Sequence, residues 1–169
     1  MKQNIVLIGM PGVGKSTVGV ILAKILGYKF LDPDLVIQDE ENCFLKDIIN
    51  SEGVDGFVKK ENEIVSHINA AKSVIATGGS VVYGVEAMNH LAENGKIIYL
   101  KLDYDKLEKR LSDIQNRGVV IRAGQTLAEL YNERAPLYEK YADVIIDEND
   151  CSIEKTVNNI LSSLREIVV

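Results

Sequence analysis

The run Gly9-Met10-Pro11-Gly12-Val13-Gly14-Lys15-Ser16 holds the residues best suited to chemistry in this chain: a glycine, four residues, then Gly-Lys-Ser. Glycines at 9, 12 and 14 let the backbone turn tightly and aim its amide hydrogens inward, and a helix starting there presents its positive end to the same point. The guest of such a cradle, formed by Gly12, Val13, Gly14, Lys15, Ser16 and Thr17, is a nucleotide polyphosphate. Lys15 is placed to reach the β- and γ-phosphates as a point charge, and the Ser16 hydroxyl to ligate the Mg2+ that bridges them. A glycine-rich turn without a ligand is the plainer alternative; an apolar strand before the loop and a helix-forming run after it argue against that. The loop alone specifies nucleotide binding, since GTP-binding switches and mechanical ATPases carry it too. The chain has no Asn-Lys-x-Asp guanine signature, and at 169 residues it is too short for a motor with its own arginine-finger module. Group transfer from ATP is the favoured chemistry.

A transfer enzyme needs an acceptor site, and Asp32-Pro33-Asp34 supplies two carboxylates two residues apart. In an extended segment they point to the same side. One can hold a magnesium-bound water while the other accepts the proton of an attacking hydroxyl. The alternative is a solvated turn whose acids cap a short helix. A phosphorylated acceptor would meet like charge here, at a cost of roughly 1 to 4 kcal/mol per close pair; a neutral hydroxyl on a polyol or hydroxy acid fits better. Arg117 and Arg134, the latter in Glu133-Arg134-Ala135-Pro136, are candidates for gripping phosphate or carboxylate with two-point forks. Each has the alternative of a surface ion pair.

These groups need a scaffold. Apolar runs at Ile5 to Ile8, Tyr28 to Leu31, Ser73 to Ala76, Lys96 to Leu102 and Val144 to Asp147 alternate with helical stretches, the rhythm of a parallel sheet with crossover helices. Five strands and about seven helices result. Gly27 and Gly95 are placed as helix stops, Thr126-Leu127-Ala128-Glu129 reads as a capping box, and Pro136 should break its helix. The expected architecture is one α/β domain over residues 1–169, with an acceptor-binding segment at about 32–62 and a lid at about 112–125 around Arg117 and Arg122. A net charge of −6 argues against a nucleic-acid groove. No stretch has membrane-spanning length, and the first ten residues lack a signal-peptide pattern. The expectation is a cytoplasmic monomer acting on a small molecule, with no nucleic acid or membrane as partner. Cys43 and Cys151 read as unrelated thiols, His67 and His90 as structural, and the seven tyrosines as packing residues with wet hydroxyls.

The combination resembles the shikimate kinase family, within the nucleoside-monophosphate-kinase-like P-loop group. Phe30-Leu31-Asp32-Pro33-Asp34 matches the segment after that family's second strand, Ile75-Ala76-Thr77-Gly78-Gly79 its glycine-rich turn after the third, and Arg134-Ala135-Pro136-Leu137-Tyr138 its arginine-centred helix; Arg117 falls at its lid arginine. The resemblance implies a five-stranded sheet in the order 2-3-1-4-5 and phosphorylation of shikimate with Mg2+ and ATP. It implies that Asp34 activates the hydroxyl, Asp32 sits behind the magnesium, Gly78 and Gly79 line the acceptor pocket, Arg134 takes the carboxylate, and Arg110 stacks on adenine under a loop from Glu148 to Ser152. Three positions depart from the family pattern. Val58 stands where an arginine usually helps bind the carboxylate, with Lys59 or Lys60 as partial substitutes; Ser80 replaces a third glycine; Gly118 replaces a proline. A paralogous kinase with another hydroxylated substrate is the alternative these departures suggest. A nucleotide-binding regulatory module without catalysis is a further one, which the retention of Lys15, Ser16, Asp34 and Arg117 argues against.

Overall fold

The computed structural model describes residues 3–112 and 119–165, so Arg117 and Gly118 lie outside the described residues, while the later part of the expected lid, 119–125, is described. Strand β1 (Asn4–Ile8) leads through the glycine-rich loop into α1 (Lys15–Leu26), β2 (Lys29–Leu31), α2 (Pro33–Glu41) and α3 (Leu45–Val65). Then follow β3 (Ser73–Ala76), a single 3-10 turn (Val81–Tyr83), α4 (Val85–Asn94), β4 (Gly95–Lys101), α5 (Tyr104–Ser112), α6 (Leu127–Tyr141), β5 (Val144–Asp147) and α7 (Ile153–Arg165). The sheet is parallel throughout in the order β2-β3-β1-β4-β5, with Leu7 opposite Ala76 on one side and Ile98 on the other. This is the P-loop kinase fold the sequence predicts.

The central strand explains its own composition. All five residues of β1 are buried, and from Ile5 to Ile8 it reads as a continuous apolar run, as strands covered on both faces do. Helix α1 packs so close to the sheet that a Cβ on Gly19 would stand 2.9 Å from the ring of Phe30. Gly27 ends α1 in the left-handed conformation, and Thr126 and Glu129 close the capping box of α6. A second, smaller apolar cluster lies apart from the sheet core, where α2 and α3 pack through Ile37, Ile48, Phe57 and Ile64.

Two local expectations, for Pro136 and for the Asp32–Asp34 pair, are corrected. Pro136 does not break α6, which runs unbroken to Tyr141. Pro136 and Asn132, whose carbonyl loses its partner, are both on the exposed side, where water can serve that carbonyl, while Leu130, Arg134 and Tyr138 anchor the buried side. Gly95 caps α4 as expected, and it does so in extended backbone because it is already the first residue of β4. Asp32 and Asp34 do not share an extended segment: Asp32 is the N-cap of α2 and its carboxylate accepts from the Asp34 amide at 3.0 Å. Among the described residues no helix is long and apolar enough to cross a membrane, and both cysteines are free.

Candidate active site

In a parallel sheet the carboxyl ends of the strands are where ligands collect, above all where the strand order reverses. Here that point is the end of β1, between β3 and β4, and the loop Gly9 to Gly14 leaves from it. Gly9, Gly12 and Gly14 have φ of 146°, 85° and 98°, values that side chains with a Cβ rarely adopt. Their left-handed turns curl the loop toward the first turn of α1, which has no side-chain cap. The loop therefore leaves amides and a positive helix end free for an anion. Lys15 is buried and donates to the carbonyls of Gly9 at 2.7 Å and Met10 at 2.8 Å. Burial brings its pKa down to about 8, against the raising influence of Asp34.

A cleft of about 760 Å³ opens beside this loop. Gly12, Gly14, Lys15, Ser16 and Thr17 line one end; Asp34, Thr77, Gly78 and Gly79 lie along it, and Arg134 faces it from α6. Thus Lys15, Asp34, Gly78, Gly79 and Arg134, far apart in the chain, come together. Val13 is buried behind the loop, where its carbonyl accepts from Arg110 Nη1 at 3.3 Å. That contact puts Arg110 against the phosphate loop. Burial pushes Asp34 up to about 6, with the neighbouring Asp32 charge adding to the effect and Lys15 opposing it. A carboxyl that ionises near neutrality is suited to taking a proton and holding it only briefly.

Ser16 and Asp32 offer hydroxyl and carboxylate oxygen, the donor type Mg2+ prefers. Asp32 spends one oxygen on its cap and keeps the other. Among the described residues no cluster of three or more His, Cys, Asp or Glu side chains could cage an ion. The fit is therefore to a cation held mainly by phosphate oxygens and water, with the protein supplying one or two ligands.

Arg134 is 1 % exposed and engaged on two sides: Nε donates to the Tyr83 hydroxyl at 3.2 Å and Nη2 to the Val120 carbonyl at 2.6 Å. Nη1 lies against Gly79, where a Cβ would stand 2.9 Å from it. The same Cβ would stand 2.9 Å from Pro11 Cδ, so the loop proline and the arginine together call for a glycine at 79. Tyr138 is fully buried and donates to the Gly79 carbonyl at 2.6 Å, so its hydroxyl is not wet but fixes the glycine turn.

Glu61 is the main residue that sequence reasoning missed. It is 1 % exposed; one carboxylate oxygen accepts from the Ser80 hydroxyl at 2.5 Å and the other has no partner. Glu61 and Asp34 flank Gly78, whose Cβ would meet Glu61 Oε1 at 2.9 Å and Asp34 Oδ1 at 3.0 Å. Burial raises Glu61 to about 7; the Ser80 hydrogen bond opposes this and the Asp34 charge adds to it. Glu148, directly after β5, is likewise buried and raised to about 7 by burial, with Arg110 and Thr156 opposing. A lone glutamate in a helix carries no sequence signal of burial.

The departures now have places. Ser80 borders the cleft, but its hydroxyl is tied back to Glu61 and the residue is buried. Val58 does not line the cleft; it packs on the small α2–α3 cluster. Lys60 is no substitute for an arginine there, being held by Glu41 at 2.8 Å and Glu52 at 3.5 Å, and Lys59 is also absent from the lining. Arg122 is occupied by Asp55 at 3.0 Å and Glu133 at 3.3 Å. His67 and His90 bond backbone carbonyls of Glu63 and Ile68.

Residues 11–165 match the family described as shikimate kinase. A shikimate kinase of Francisella tularensis subsp. holarctica is 38 % identical over 168 residues, covering 97 % of this chain and 96 % of that protein. One from Histophilus somni is 31 % identical over 172 residues, covering 99 % and 98 %. Among solved structures, the shikimate kinase from Acinetobacter baumannii in complex with shikimate superimposes with a TM-score of 0.85 at 29 % identity, covering 97 % of this chain and 93 % of that one. The Aquifex aeolicus shikimate kinase gives 0.81 at 30 % identity, covering 98 % of each chain.

Proposed function

Because the chain belongs to the shikimate kinase family, we propose that it transfers the γ-phosphoryl group of ATP to the 3-hydroxyl of shikimate, yielding 3-phosphoshikimate. The observation that carries this is the convergence of Lys15, Asp34 and Arg134 on one cleft lined by the phosphate loop and by Gly78 and Gly79. In this reading the loop amides and Lys15 hold the phosphates in line with the acceptor. Asp34 orients the hydroxyl and takes its proton as the new P–O bond forms, which contributes about 10²–10⁴-fold to the rate. The backbone at Gly78 and Gly79 fits the acceptor ring closely, Arg134 takes the acceptor carboxylate, and Arg110 borders the adenine end. Ser16 and Asp32 would hold Mg2+, which supplies charge neutralisation between the phosphates.

Val58 does not line the cleft and the Ser80 hydroxyl is held by Glu61, so neither departure puts an obstruction in the way of a shikimate ring. A net charge of −6 fits a partner that is not nucleic acid; we take the protein to act as a cytoplasmic monomer.

The test is ADP release from magnesium-ATP with shikimate, beside a panel of other hydroxy acids and sugars, for the unaltered chain and for Asp34→Asn. Shikimate turnover that falls at least a hundredfold in the variant, with ATP affinity kept, is expected. Turnover of another acceptor alone would overturn the substrate, and equal loss of rate and ATP affinity would move Asp34 to a metal role.

A further inference from the structure

The proposed acceptor carries its carboxylate on the ring that also bears the reacting hydroxyl, and the Asp34 and Asp32 end of the cleft is negative. The carboxylate end must therefore be placed away from those two acids and beside positive charge. Arg134 offers some, but Tyr83 and the Val120 carbonyl already occupy two of its three nitrogens and the third lies against Gly79. It cannot turn a free two-point fork to the ligand without breaking bonds that hold it buried. Of the two other cations that line the cleft, Lys15 is held within the phosphate loop, which leaves Lys46, in the first turn of α3.

Lys46 shares a helical face with Ile49 and Asn50, which also line the cleft, so its stem rises from the cleft wall and not from the outer surface. Leu45, Ile49 and Phe57 give that wall an apolar surface suited to the ring of the acceptor. The ammonium group is exposed and forms no ion pair among the described residues; its recorded contact is with the Phe44 ring, 5.7 Å away. Lys60 and Arg122, by contrast, are held by carboxylates. A cation in the first turn of a helix gains nothing from that helix's dipole, and on this wall it lacks any protein anion to balance it.

Resting on the reading above, we propose that Lys46 is a specificity-determining residue: its ammonium group binds the carboxylate of the acceptor, completing the grip that Arg134 makes from the opposite wall. The role needs reach rather than a rigid fork, which a four-carbon stem supplies.

The experiment is steady-state kinetics of the full chain, Lys46→Met and Lys46→Arg with shikimate and with its carboxamide, which keeps the ring and hydroxyls but not the charge. A charged hydrogen bond corresponds to roughly ten- to a hundredfold in affinity. The expected result is a shikimate KM at least about tenfold higher in Lys46→Met, restored toward the original in Lys46→Arg, with the ATP KM unchanged. For the carboxamide, the KM should not distinguish the three proteins. Shikimate turnover with equal KM in the unaltered chain and Lys46→Met overturns the inference alone, as does an equal KM rise for acid and carboxamide. No shikimate turnover by the unaltered chain overturns the proposed function and this inference with it.

Discussion

Gly78 separates two carboxyl groups with different tasks. Asp34 faces the cleft, whereas Glu61 is sealed behind the turn with one oxygen on Ser80 and the other unpartnered. An unfolded glutamate ionises in the ordinary range, but in the fold Glu61 holds its proton to about 7. The folded state thus binds more protons across that interval, and stability falls as pH rises through it. Glu61→Gln keeps an acceptor for Ser80 and removes the ionisation. We expect thermal unfolding of the variant and the unaltered chain to be alike near pH 5 and the variant to be the more stable near pH 8, by an amount on the order of a few kcal/mol. A gap independent of pH would show that Glu61 is not held protonated. Lys15, Asp34 and Arg134 were legible because their spacing from glycines and prolines is itself the signal. Glu61, Ser80, Tyr138 and Lys46 were not, since each takes its meaning from a partner far away in the chain: Ser80 looked like an obstruction until Glu61 was seen beside it.

Elements were easier to read than their joints. The apolar runs located all five strands to within a residue or so; the three inner strands, covered on both faces, leave no alternation to confuse them. Pro136 misled because a proline's cost depends on which side of the helix it occupies. Gly53 shows the reverse case, a residue inside a helical run that bends it. Its φ of 74° and ψ of 177° lie where residues other than glycine are strained, and they divide α3 into two segments. No heavy atom lies within 4 Å of a Cβ built there, so space is not the constraint. Helix propensity alone would have Gly53→Ala stabilise the protein by about 1 kcal/mol. The backbone angles predict the opposite, a loss of roughly 1–3 kcal/mol in denaturant unfolding, and a gain in stability would sink that account of the bend.

At the scale of the molecule, the apolar interior is in two parts. One is built on the sheet and carries the phosphate loop; the other joins α2 to α3 under the acceptor wall that bears Lys46, Ile49 and Phe57. A small loss in the second part should be felt on its own side. Ile48→Val removes one buried methylene, costing about 0.5–1.5 kcal/mol. We expect it to raise the acceptor KM severalfold with the dissociation constant for ATP, measured by titration, unchanged within about twofold; equal changes in both would mean that the two interiors respond as one. The division also bears on descent. A lineage can revise which hydroxyl it phosphorylates by trial among the residues of one helical corner, while the apparatus that handles ATP is inherited untouched.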